Sequence, residues 1–369
     1  MSSAAESAQG HALAKFFEHT AVPLSGSGGI LAIRSTTAAG LTGFDPGRIL
    51  CLQTNRTHAD ALERAGFRVV TEVSGAFALC LIEATRDRDE NLHHIALGWS
   101  LLAPDGRLVL SAANALGGES LARRIRESGL TVDTVYSKAK CRVVCVTRTA
   151  DGVAAGPPPE WLALGDYREL PRTGLVAGPG VFSAHTVDPG SRLLCEALDT
   201  PLVGRGADFG AGYGALSHHV LARSAGIRML DLYESEWKAL AAAKINLAPW
   251  QSRVELGYRW TDITLTAPDR GYDWIIMNPP FHSGTAAEPA LGQRFIHAAA
   301  NSLDSRGTLW MVANRHLPYE TVLGTRFKQV ADLGQSAGYK VYRAAHPVSD
   351  RTALRSSRPP PRRVRHRSG

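Results

Sequence analysis

Three glycines at alternate positions, Gly210, Gly212 and Gly214, follow the short run 206–209 and precede a helical pattern that starts at Ala215. A chain turns that tightly from strand into helix only where side chains are missing, and the turn presents backbone N–H groups at a helix start to a ligand. Such a turn belongs to an open α/β sheet with helices on its faces. The neighbouring pattern agrees. A helix is expected over 191–198 and another over 215–224, with strands at 228–233, 254–256 and 272–277 and a helix over 235–247. A helix over 293–303, a strand over 308–313 and two strands at 327–332 and 339–344 follow, the last pair as a hairpin-like end to an otherwise parallel sheet.

The chain has 369 residues, too many for one ordinary domain, and 44% hydrophobic content is enough for two cores. The first 150 residues show the same alternation, with strands at 48–53, 68–71, 77–83, 107–112, 131–137 and 142–147 and helices over 59–66, 91–102 and 118–128. Gly156 and three prolines, Pro157 to Pro159, suit an extended connector. The expected organisation is therefore α/β, with two tandem Rossmann-like domains at 1–150 and 178–348, a linker at 151–177 and a tail at 349–369.

The net charge of +7 suggests a nucleic-acid binder until it is located. Seven arginines and no acid follow Asp350, and without them 34 basic residues face 34 acidic ones. That Pro/Arg/Ser tail is expected to be disordered, either as a salt-sensitive phosphate attractor or as a solvated extension. The five cysteines form no CxxC pair and read as small buried residues of a reducing compartment. No run of about 18 apolar residues and no export leader occurs, so a soluble cytoplasmic protein without a membrane contact is expected. The pair His218 and His219 lacks metal-ligand spacing, and no metal is expected. The tryptophans Trp237, Trp250 and Trp260 are expected as core or pocket wall.

Several residues stand where an α/β sheet places its ligand contacts. Asp208 leads into the glycine turn. Glu234 ends the next strand, where a carboxylate accepts hydrogen bonds from two ribose hydroxyls, and is preferred to the mid-strand Asp231. Asp262, just past the third strand, is placed to accept from an adenine amino group, although an Asx turn would also explain it. Asn278, Pro279, Pro280 and Phe281 follow a buried strand and begin a loop at its carboxyl end, where such sheets bind ligands. The two prolines stiffen that loop and remove two donors. The side-chain oxygen of Asn278 and the carbonyl of Pro279 are then an acceptor pair for one planar NH2 group, with Phe281 to stack on the plane. A planar amine is a weak nucleophile, so the site must act by positioning. His282 is a lesser candidate for proton relay.

Together Asp208 to Gly214, Glu234, Asp262 and Asn278 to Phe281 resemble the ordered motifs of class I methyltransferases, and Asn-Pro-Pro-Phe is the form of the amino-methylating branch. Pro179–Ser183, Val187–Leu194, Val312–Tyr319 and Gly338–Arg343 resemble segments of the bacterial ribosomal RNA guanine-N2 methyltransferase family. The resemblance covers about 178–343. It implies S-adenosylmethionine as cofactor, bound by Asp208, Gly210, Gly212, Gly214, Glu234, Asp262 and Asn278, and Asn278 to Phe281 as the catalytic segment. It implies methyl transfer to the exocyclic N2 of a guanine in ribosomal RNA, with the small subunit favoured, by a monomer. It also implies a degenerate first domain that helps folding and holds RNA. Thr54 to His58, after the strand 48–53, stands there in place of a glycine loop, and Ile82 to Thr85 in place of Asn-Pro-Pro-Phe. Tyr213 and the arginine tail depart from the family pattern without removing a catalytic group. Two other readings stay open: methylation of a glutamine amide in a protein, held by the same acceptor pair, and a non-catalytic RNA-binding or assembly factor.

Overall fold

Phe77–Glu83 is apolar through six residues and buried at all seven, as a parallel strand covered on both faces must be. It lies at the centre of the first of two seven-stranded sheets in the computed structural model, which describes residues 4–20, 28–149, 156–269, 271–280, 282–283, 286–287 and 289–348. The first half runs α1 (Ala4–His19), β1 (Ile30–Ile33), β2 (Ile49–Leu52), α2 (Arg56–Arg64), β3 (Arg68–Val70), β4 (Phe77–Glu83) and α3 (Arg88–Ser100). It continues through β5 (Leu102–Ala113), α4 (Gly118–Glu127), β6 (Val132–Lys138) and β7 (Cys141–Thr147). Short elements α5 (Pro159–Ala163), β8 (Arg168–Glu169), β9 (Val176–Ala177) and α6 (Pro189–Ala197) connect it to the second half.

The second half runs β10 (Gly204–Phe209), α7 (Ala215–Arg223), β11 (Ile227–Glu234), α8 (Trp237–Leu247), β12 (Glu255–Trp260) and β13 (Tyr272–Met277). It ends with β14 (His282–Ser283), β15 (Ala286–Ala287), α9 (Pro289–Ser302), β16 (Leu303–Asn314), α10 (Glu320–Arg326), β17 (Phe327–Ser336) and β18 (Tyr339–Pro347). The two sheets have the same order, β3-β2-β1-β4-β5-β7-β6 and β12-β11-β10-β13-β16-β18-β17. In each, the last strand in sequence inserts antiparallel between its two neighbours. The fold is thus two tandem Rossmann-like α/β units.

The sequence expectation lacks the short elements α5, β8, β9, β14, β15 and α10, and in the first half it lacks two more. The first is β1, whose four residues Ile-Leu-Ala-Ile are fully buried between β2 and β4; so short an apolar run carries no period from which to recognise it. The second is α1, which places Ala12, Leu13 and Phe16 at zero exposure against the sheet. Burying each of the larger two stabilises by roughly 1.5–3 kcal/mol. The presence of β1 shifts a correspondence: Thr54 to His58 follows the second strand of its sheet, not the first. The counterpart of the glycine turn is the segment after β1, starting at Arg34, and the counterpart of Thr54 to His58 is the turn between β11 and α8. Ile82 to Thr85 does end β4, the counterpart of β13.

Those two equivalent turns face one another. Asn55 and Glu236, each the residue before a helix, form an antiparallel bridge. The N–H of Arg56 donates to the carbonyl of Ser235 at 2.7 Å, and the N–H of Trp237 donates to that of Thr54 at 2.8 Å. These are matching positions, so the halves meet about a local two-fold axis. Beside this bridge Glu90, 2% exposed, is ion-paired to Lys238 across the interface, while Arg34 pairs with Glu236 at 3.0 Å.

Candidate active site

The carboxyl ends of β10, β11, β12 and β13 open into a cavity of about 670 Å³. Gly210, Gly212, Glu234, Asp262, Asn278, Pro279 and Pro280 line it, which brings together residues spread over 71 positions of sequence. Gly210 has φ +74° and Gly212 φ +55°, the left-handed region that a side chain disfavours. Among the described residues, a Cβ on Gly212 would meet no atom within 4 Å, so it would project into the cavity. That Cβ-free floor fits a nucleotide-like group lying directly against the backbone.

Glu234 is tied to this floor. Its Oε2 accepts from the N–H of Gly212 and its Oε1 from the N–H of Glu236, both at 2.8 Å. Burial raises its pKa above the ordinary carboxylate value, against which these backbone donors act. Asp231 is occupied elsewhere, accepting from the hydroxyl of Tyr272 at 2.6 Å and pairing with Arg259 at 3.2 Å, so Glu234 is the strand-end acid that reaches the cavity. Asp208 is fully buried one residue before the turn, where its Oδ2 accepts from the hydroxyl of Ser217 on α7 at 2.7 Å. Burial pushes its pKa up to about 7, the Ser217 hydroxyl opposing and Glu234 adding to the rise. Neither Asp208 nor Gly214, the residue capping α7, lies on the cavity wall. Asp262 makes the Asx turn, its Oδ1 accepting from the N–H and hydroxyl of Thr264 at 3.0 and 2.7 Å.

The Asn278 amide is fixed in orientation. Its Nδ2 donates to Asp188 Oδ2 and to Ser191 Oγ, each at 2.8 Å. A carboxylate only accepts, so the amide cannot be flipped. With both hydrogens held, the atom Asn278 offers a ligand is Oδ1. Asp188 is 5% exposed and also caps α6 through the N–H of Ser191 at 2.8 Å. Phe281 lies outside the described residues, as do the side chain of His282 and the arginine tail.

The sequence reading missed several contributors. Asp188 and Ser191 sit in the quoted segment 187–194, where nothing in the spacing connects them with a residue about 90 positions later. Phe182, 61% exposed, stands at the cavity edge, and Asn55, Thr57 and His58 reach it from the first half. Among the described residues no cluster of His, Cys, Asp or Glu could hold a metal, and no helix is long and apolar enough to cross a membrane.

A family model, the methyltransferase small domain, matches residues 172–343. With the doubly wound sheet, the glycine floor and the Asn-Pro-Pro loop, it makes this chain an S-adenosylmethionine-dependent methyltransferase. The ribosomal RNA small subunit methyltransferase C of Alteromonas mediterranea is 30% identical over 246 residues, covering 66% of this chain and 67% of its own length, and that of Psychromonas ingrahamii is 29% identical over 269 residues, covering 72% and 75%. The chain belongs to the ribosomal RNA small subunit methyltransferase C family. Its fold matches the T. thermophilus 16S rRNA N2 G1207 methyltransferase, a structure in complex with AdoMet and guanosine, with a TM-score of 0.73 at 23% identity over 92% of this chain and 91% of that one.

Proposed function

We propose that this enzyme methylates the exocyclic N2 of a guanine in small-subunit ribosomal RNA. The observation that carries the reading is the clamp on Asn278: Asp188 and Ser191 take both amide hydrogens, so Oδ1 is presented as an acceptor. Beside it the Pro279 carbonyl supplies a second acceptor from a loop stiffened by two prolines. One planar NH2 has two hydrogens in one plane, and two acceptors in that plane hold the amine with its lone pair directed out of it. When bound, S-adenosylmethionine supplies a methyl group on a positively charged sulfur. Gly210 and Gly212 would bear its amino acid and ribose portion, Glu234 would accept from the ribose hydroxyls, and Asp262 from the adenine amine. No strong base is required, because the amine loses its proton after transfer. The guanine must leave its stack to reach a site of this depth, with Phe281 as the stacking residue.

The names of the relatives support the small subunit as the RNA partner. The catalytic unit is assigned to 178–348, the linker to 151–177 and the structural, RNA-holding unit to 1–150. One chain completes the cavity from its own two halves, which supports a monomer, and a ribosomal substrate supports a cytoplasmic location. The test is incubation of the purified protein with methyl-labelled cofactor and hypomodified ribosomal subunits, followed by nucleoside analysis. Label as N2-methylguanine in small-subunit RNA is expected. Label in protein would replace this reading with glutamine methylation, and no transfer to either would leave a binding factor.

A further inference from the structure

The first half carries none of the cofactor motifs, yet the first turn of α2 lies in the wall of the cofactor cavity. Thr57 Oγ1 donates to Asp262 Oδ2 at 2.8 Å, joining residues 205 positions apart. The hydrogen bonds of the carboxylate leave a specific vacancy. Among the described residues, Oδ1 accepts twice, from the N–H and hydroxyl of Thr264, and Oδ2 accepts once, from Thr57. A carboxylate oxygen has about two lone-pair sites. One site on Oδ2 therefore remains for a ligand, and Thr57 decides in which direction it points.

Thr57 is itself held by backbone. The preceding N–H, that of Arg56, donates to Ser235, and Thr54 accepts from Trp237, so the turn that carries Thr57 is locked to the turn after Glu234. The Arg56 guanidinium lies 4.7 Å from the centre of the Trp260 ring, two residues before Asp262. The indole N–H of Trp260 donates to the carbonyls of Thr54 and Ser235 at 3.0 and 2.9 Å, closing the same junction.

We propose that Thr57, from the half without cofactor motifs, is a positioning residue for adenine recognition: it aims the remaining lone pair of Asp262 at the 6-amino group. The proposal rests on the assignment of Asp262 to adenine. It gives the first half a part in cofactor selection, in addition to folding and RNA binding. It also couples the two halves thermodynamically, since whatever strengthens the α2 junction strengthens cofactor binding and the reverse.

The test is calorimetric binding of S-adenosylhomocysteine and of its 6-oxo counterpart, S-inosylhomocysteine, to the full chain and to its Thr57→Val and Thr57→Ser variants. In the inosine compound an acceptor oxygen replaces the amine and faces the carboxylate. The native chain is expected to prefer the adenine compound by about tenfold or more, the discrimination a lost charged hydrogen bond supports. Thr57→Val should shrink that preference severalfold, while Thr57→Ser, which keeps the hydroxyl, should restore it. Melting temperatures within a few degrees of native in both variants would show the junction intact. An unchanged preference in Thr57→Val overturns the proposal, as does loss of preference in Thr57→Ser to the same degree. Absence of any preference in the native chain removes the Asp262 assignment and the proposal with it, while the methyl-transfer assay above separately judges the guanine reading.

Discussion

The Asn278 amide has one orientation because neighbours have taken away its freedom. An unconstrained side-chain amide presents N or O with equal ease; here a carboxylate and a hydroxyl hold its NH2 and only the oxygen is offered. Asn278→Ala is expected to lower methyl transfer about 10²–10³-fold, the range for losing one positioned electrostatic contact, with cofactor affinity changed no more than about twofold. Asp188→Asn should reproduce part of that loss, because a carboxamide at 188 no longer dictates which way Asn278 turns. A fall in kcat with unchanged cofactor binding, measured by single-turnover kinetics beside calorimetry, is the expected pattern for both; equal loss of cofactor affinity would contradict the division of roles. Asn278 was legible in sequence because its consecutive prolines follow a buried strand. Asp188 was not, since its part depends on α6 packing beside the carboxyl end of β13. Asp208 shows the same limit: its place before the glycine turn was legible, but its complete burial, which raises its pKa, depends on what packs around β10.

At the scale of elements, the glycine turn does two jobs, allowing positive φ and leaving the cavity floor empty. Gly212→Ala separates them. Its Cβ would meet no atom of the described residues, so the fold pays the backbone strain of roughly 1–2 kcal/mol, whereas a ligand on the floor meets a methyl group. The expected result is a drop in melting temperature of a few degrees with a tenfold or greater loss of S-adenosylhomocysteine affinity by calorimetry. A variant that binds as tightly as the native chain would show that the ligand does not lie there. Most strands were legible from apolar composition and their spacing from helices. The helix expected over 91–102 is α3, displaced to Arg88–Ser100, and the strand expected over 107–112 is β5, which opens earlier, at Leu102. Missing β1 moved the sequence alignment of the two halves by one strand, because four buried apolar residues look alike in a strand, a helix or a core loop.

At the scale of the molecule, the two halves are held by a small charged cluster beside the backbone bridge. Burial pushes the Glu90 carboxyl up, but Arg34, Lys238 and His94 outweigh it and hold it well below the usual carboxylate range. A depressed acid contributes stability that is present above its ordinary pKa of about 4.5 and is lost as pH falls below it. Glu90→Gln leaves two part-buried cations, Arg34 and Lys238, short of one partner and should cost about 2 kcal/mol. Thermal melts should show the full deficit at pH 7 and a shrinking one below about pH 4.5; a pH-independent deficit would mean that shape, not charge, is what Glu90 provides. The chemistry and the α/β class were determined by local sequence: a glycine turn, an acid at a strand end and Asn-Pro-Pro after a buried strand act through the backbone within a few residues of themselves. Which lone pairs remain available, which acid reaches the cavity and how the motif-free half joins the site were decided only in the tertiary structure. Those depend on contacts such as Thr57 with Asp262 and Asp188 with Asn278, which hold residues 205 and 90 positions apart within 2.8 Å, and no local pattern encodes such a pairing.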